Sequence, residues 1–104
     1  MRLKSWSGRA DFEYDGNVST GTTIRFGSGL KFSAHVDRNS YSQLLNHFHG
    51  RTVKCGTSHD KPPAGSLGSW LILNVSRTAL ASYVSAILVF EGYAIKVGAD
   101  IKFK

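Results

Sequence analysis

The chain has 104 residues, 41% of them apolar and 12% aromatic, enough for one core-bearing domain and not two. Thirteen Lys and Arg against seven Asp and Glu leave a formal charge of +6, which favours nucleic acid, an anionic surface or an acidic protein as partner. No apolar run approaches the roughly 20 residues of a membrane-crossing helix, so no membrane partner is expected. The single cysteine, Cys55, has no internal disulfide partner. With no apolar run behind the basic Met1–Trp6 stretch, a reducing, cytoplasmic setting is the expectation.

In chain order, Arg9–Asp15 alternates. Phe12 and Tyr14 fall on one face and Asp11, Glu13 and Asp15 on the other, as a half-buried strand requires. Asp15-Gly16-Asn17 is a turn signal, Thr22–Phe26 is β-branched and aromatic, and Leu30–Val36 alternates again after Gly27-Ser28-Gly29. Residues 9–36 therefore read as a three-stranded antiparallel meander. Asn39 or Ser40 is placed to cap a helix over 40–49 whose apolar face is Tyr41, Leu44, Leu45 and Phe48, stopped by Gly50. Arg51–Cys55 reads as a short strand, and 56–66 as a long loop.

Leu67–Leu73 suits a short helix or a buried strand, with the helix favoured, and a helix follows over 77–91, capped by Asn74 or Ser76 and closed by Gly92. Tyr93–Val97 and Ile101–Lys104 form a hairpin over 93–104, with Ile95, Val97, Ile101 and Phe103 toward a core and Lys96, Lys102 and Lys104 toward water. The order is that of an α+β domain spanning 1–104. Phe12, Phe32 and Phe103 are expected in the core, and Trp6 at an exposed or interfacial position.

Four constellations bear on chemistry. Asn74-Val75-Ser76-Arg77-Thr78-Ala79-Leu80, followed by Phe90-Glu91-Gly92-Tyr93 and a hairpin, resembles the end of a winged helix-turn-helix domain. That resemblance implies a recognition helix followed by a β-wing. Such a helix reads bases with long polar side chains, and 78–91 offers Thr78, Ser82, Ser85 and Glu91, so it reads better as a buried central helix. The Thr78/Ser82/Ser85 spacing also suits packing against a second subunit. Gly65-Ser66-Leu67-Gly68 is similar to the GxxG loop of KH domains, but carries no basic residue inside and reads more simply as a helix entry. His47, His49, Cys55, His59 and Asp60 have metal-ligand chemistry without a zinc-finger spacing, and Cys55 with His49 and His59 is a conceivable nucleophilic set. Asp11–Asn17 partly matches the start of an EF-hand loop, but Glu13 and Thr22 stand where that pattern needs other residues.

No catalytic motif or cofactor fingerprint stands in the sequence, and neither metal nor cofactor is expected. The leading expectation is a non-enzymatic module that binds DNA or RNA electrostatically through Arg77, Lys96, Lys102 and Lys104, with Lys54 and Lys61 joining from the strand and loop before 67. The alternative is a homo-oligomeric adaptor or a small-ligand binder with the 56–66 loop as a lid.

Overall fold

The alternation around Phe12 produces a strand, β2 (Asp11–Asn17), in a computed structural model that describes residues 1–58 and 61–104. It pairs antiparallel with β1 (Arg2–Lys4) on one side and β3 (Gly21–Phe26) on the other, and β4 (Phe32–Asp37) closes the order β1-β2-β3-β4. The meander is thus four-stranded. β1 is too short to show a period, and only its pairing with Asp11–Glu13 makes it a strand. Leu30 does not begin β4. It lies in a 3₁₀ turn over Ser28–Leu30, with φ +56°.

Helix α1 (Arg38–Phe48) begins two residues before the expected start because Asp37 is the cap. Its Oδ1 accepts the Ser40 N–H at 2.7 Å, meeting one of the donors a helix start leaves unpaired. Tyr41, Leu44 and Phe48 form its buried face. Gly50, at φ +70°, ends it in the left-handed conformation that glycine adopts without strain. β5 (Thr52–Lys54) and the helix α2 (Leu67–Asn74), capped by Ser66 Oγ, match the expected segments.

Helix α3 (Ala81–Phe90) starts four residues later than 77. The residues expected to cap it are engaged locally. Asn74 closes α2 by donating to the Trp70 carbonyl, and Ser76 Oγ accepts the Thr78 N–H at 3.1 Å, a tight turn in place of a helix start. Arg77 and Thr78 therefore sit in a connector. Ser85 is buried in α3, with its hydroxyl donating to the Ala81 carbonyl, so Thr78, Ser82 and Ser85 form no continuous stripe.

β6 (Ala94–Val97) and β7 (Asp100–Phe103) form the hairpin, and β5 adds to β7 in the order β5-β7-β6. One core joins the two sheets. Phe12, Ile24 and Val36 from the first and Ile101 and Phe103 from the second belong to one buried cluster with Val84, Ile87 and Leu88 of α3. Each large apolar side chain so buried contributes about 1.5–3 kcal/mol. Helix α3 holds the halves together. Its Ser82 carbonyl accepts the Trp6 N–H at 2.9 Å, its Leu88 carbonyl accepts the Tyr93 N–H at 2.9 Å, and Tyr83 meets the rings of Phe12 and Phe26. Among the described residues no helix is long and apolar enough to cross a membrane.

Phe32 departs from expectation. It has the core parity of Ala34 and Val36 but is 61% exposed; among the described residues the Phe26 ring stacks on it at 5.9 Å, and Phe26 rather than Phe32 meets Tyr83 of α3.

Candidate nucleic-acid interface

The hairpin turn decides which side chains share a face. Only Gly98 and Ala99 separate the strands, with Gly98 at φ +61° in the glycine-first position of a two-residue loop. Val97 therefore pairs with Asp100, Lys96 with Ile101, Ile95 with Lys102 and Ala94 with Phe103. Directly paired residues point to the same side of a sheet, so Ile95 and Val97 cannot join Ile101 and Phe103. Ile101 and Phe103 are buried, whereas Ile95 and Val97 are 45% and 46% exposed. This corrects the expected hairpin, and Lys96 moves to the opposite face from Lys102.

β5 completes the outer face. Thr52 pairs with Lys102, and Lys54 with Asp100. Lys54 and Lys102 are thus diagonal neighbours, about 7–8 Å apart at the backbone. Lys104 lies one residue beyond β7 with its backbone still held, its N–H donating to the Tyr93 carbonyl and its carbonyl accepting from Gly50. Strand alternation returns its side chain to the side of Lys102. The outer face therefore carries Lys54, Lys102 and Lys104, all exposed, beside Thr52, Ile95 and Val97, with Asp100 as its acid.

The other expected site residues lie elsewhere. The Lys96 ammonium donates to the Trp6 carbonyl at 2.7 Å and sits 4.6 Å from the centre of the Trp6 ring. This cation–π contact accounts for Lys96 and leaves Trp6 half-buried. Lys61 is exposed in the loop before α2, its N–H donating to Ser58 Oγ, and Arg77 is exposed in the α2–α3 connector. An open pocket of about 320 Å³ at the turn end of the sheet is walled by Trp6, Lys54, Gly56, Thr57, Pro63 and Asp100.

The first sheet has a different electrostatic character. Its solvent face opposes Arg2 and Arg25 to Glu13, and Lys4 to Asp11. Ion pairs form at 2.9 Å for Lys4–Asp11, 2.8 Å for Arg25–Asp15 and 3.6 Å for Arg25–Glu13. The Lys4 hydrogen bond holds the Asp11 carboxyl below the usual range, and that of Arg25 does the same for Asp15. The acidic run that partly matches a calcium loop is thus a strand face matched by its own neighbours. Among the described residues no ion pair involves Lys54, Lys102 or Lys104.

The histidine and cysteine group does not assemble among the described residues; His59 and Asp60 lie outside them. His47 packs edge-on against Phe48 at 4.7 Å between ring centres, and His49 is exposed past the helix end. Cys55 is buried, its Sγ 3.7 Å from the Ala81 carbonyl, and burial pushes its thiol up to about 11. A thiol so held is a poor nucleophile at neutral pH. No three His, Cys, Asp or Glu side chains among the described residues stand close enough to share a metal ion.

The GxxG segment has a packing role. Ser66, Leu67 and Gly68 are buried, and a Cβ on Gly68 would collide with the Gly56 carbonyl oxygen. Gly68 N–H donates to the Cys55 carbonyl at 2.8 Å across that close approach. Helix α3, corresponding to the recognition helix of the winged-helix resemblance, is buried along Ala81, Val84, Ser85, Ile87 and Leu88, and its partly exposed side of Ser82, Ala86, Val89 and Phe90 carries no long polar side chain to reach base edges. Compared with family models, curated proteins and solved structures, the chain matches none.

Proposed function

We propose that this protein is a small basic binding module, cytoplasmic in setting, that engages the phosphate backbone of a nucleic acid with the outer face of its C-terminal sheet. The observation that carries this reading is the register that gathers Lys54, Lys102 and Lys104 on one solvent face, with Asp100 the only acid among the paired positions. Lysine ammoniums are point-charge partners for phosphate. Ile95 and Val97 between them give an apolar floor for sugars and bases. Nothing on this face reads base edges bidentately, so binding is governed by charge and not by sequence.

Three phosphate contacts give a slope of log K against log salt of about −2 to −3 on duplex DNA. Fluorescence anisotropy with labelled duplex DNA and single-stranded RNA, at about 50 and 200 mM salt, should show affinity falling roughly 20- to 60-fold. The variant Lys54→Ala/Lys102→Ala/Lys104→Ala should lose that binding and keep its circular dichroism. A salt-independent affinity, or a triple variant that binds as well as the parent, sinks the reading.

A further inference from the structure

Trp6 stands between two openings in the surface. One, of about 300 Å³, is lined by Ala86, Val89, Phe90 and Lys96, and there the Lys96 ammonium lies 4.6 Å from the centre of the indole ring. The other, of about 320 Å³, is walled by Trp6, Lys54, Gly56, Thr57, Pro63 and Asp100, and Lys96 takes no part in it. The Trp6 backbone is held at both of its polar groups. Its N–H donates to the Ser82 carbonyl at 2.9 Å and its carbonyl accepts the Lys96 ammonium at 2.7 Å. The loop wall is fixed as well. A Cβ on Gly56 would meet Ser66 Oγ, and the Gly68 N–H donates to the Cys55 carbonyl at 2.8 Å. Walls held in this way lose little freedom when a ligand enters.

The charges at this pocket are unspent. Lys54 and Asp100 are directly opposed across β5 and β7, on one side of the sheet, yet they form no ion pair. Lys54 also heads a file of lysines. Lys102 is its diagonal neighbour, about 7–8 Å away at the backbone, and Lys104 follows about 7 Å further on, two residues along the chain. The file is one lysine wide, and its Lys54 end forms part of the pocket wall.

We propose that the lysine face takes a single-stranded nucleic acid, whose backbone follows this file while one unstacked base lies in the pocket against Trp6. The inference rests on the phosphate-binding reading of that face and adds the substrate class. A pocket of this volume stands at the lower end of the ligand-site range of about 300–1,000 Å³, room for one planar group and not for a length of chain. The Asp100 carboxylate repels phosphate from the pocket, so the phosphate stays with the ammoniums and the base enters. Bases of a duplex are held in the stack and cannot reach such a site without being extruded. Stacking on an aromatic ring is tolerant of sequence because every base has a π-face, in keeping with a surface that reads no base edges.

Anisotropy on the full chain at about 50 mM salt, where phosphate binding is strong, should compare four labelled oligomers of equal length. These are single-stranded DNA, single-stranded RNA, duplex DNA, and a DNA strand built of abasic units with the same number of phosphates. At least one natural single strand should bind roughly 5- to 150-fold tighter than the abasic strand, the range for one base–aromatic stack, and tighter than the duplex. Whichever of DNA and RNA binds better identifies the natural class. Trp6→Ala should lose that factor on the single strand and leave the abasic strand and the duplex unchanged, which also shows that the variant folds. In Trp70→Phe the only indole is Trp6, and its emission should be quenched by the natural strand and not by the abasic one. An abasic strand or a duplex that binds as tightly as both natural strands, with affinities that fall with salt, overturns the base pocket and leaves the lysine face standing. Single-strand binding unmoved by Trp6→Ala does the same. Failure of all four oligomers to bind overturns both readings.

Discussion

The two sheets of this protein share a core and differ in how their outer faces treat charge. On the N-terminal sheet each exposed acid of β2 has a basic neighbour one strand away, so Arg25 bridges Asp15 and Glu13 and Lys4 holds Asp11. On the C-terminal sheet Lys54, Lys102 and Lys104 stand with no ion-paired acid among the described residues. The charge of +6 is thus an incomplete guide to where a polyanion would bind. Charge paired within a sheet is already neutralised locally, and exposed unpaired charge is what an incoming phosphate meets.

The comparison breaks first if the sheets do not share one core. Leu88→Ala, in the helix that touches both, should cost about 2–5 kcal/mol. It should shift a single urea transition seen alike by tryptophan fluorescence and circular dichroism, and two separated transitions would show two cores. Glu91 is the next tie between the halves. Its carboxylate accepts the Tyr14 hydroxyl at 2.7 Å and the Val18 N–H at 3.0 Å. Glu91→Ala should cost about 1.5–3 kcal/mol, the range for a hydrogen bond to a charged group, read as a lower urea midpoint with unchanged slope.

Alkaline titration sharpens the view of the shared core. Burial raises the Cys55 thiol from 9.0 to about 11, and burial outweighs the Thr22 hydrogen bond in raising the Tyr41 phenol from 10.0 to about 12. Both groups are neutral when protonated, and the folded state keeps the proton to higher pH than the unfolded chain. Their contribution is therefore fully present below about pH 9 and is lost as pH rises through the folded values. The urea midpoint should hold to about pH 9 and decline from there toward pH 12, and Cys55→Ala should flatten the first part of the decline. The smallest stability effect belongs to Lys102→Ala, within about 0.5 kcal/mol. It should reduce the salt slope of nucleic-acid binding by about 0.9, whereas Arg25→Ala on the paired sheet should leave that slope where it is.

Much of the fold is legible residue by residue. Phe12 and Tyr14 alternate with three acids, Tyr41, Leu44 and Phe48 repeat at helical spacing, and Gly50 stops the helix they define. Periodicity and glycine placement report local geometry, and local geometry is what these elements need. The helix starts are less legible. Asp37, Asn39 and Ser40 are all competent caps, and only the chain's exit from β4 selects Asp37. Asn74 and Ser76 look like caps for α3 and are engaged in the preceding turn. The faces of the hairpin are legible only by counting through its turn. A two-residue loop between Val97 and Asp100 forces Ile95 away from Ile101 and sets Lys96 on the inner side, which alternation within each strand alone does not reveal.

The amino-acid sequence by itself determined the α+β class, the main strands of the N-terminal meander and of the C-terminal hairpin, the burial of α3 and the excess of basic charge, because each follows from spacing along the chain or from composition. Tertiary structure decided what spacing cannot carry. It set β5 beside β7, which brings Lys54 to Lys102 across about fifty residues of chain. It set Lys96 against Trp6 and left Phe32 uncovered. Those outcomes depend on which surfaces meet when the core closes, and side chains far apart in sequence then become neighbours or are left exposed.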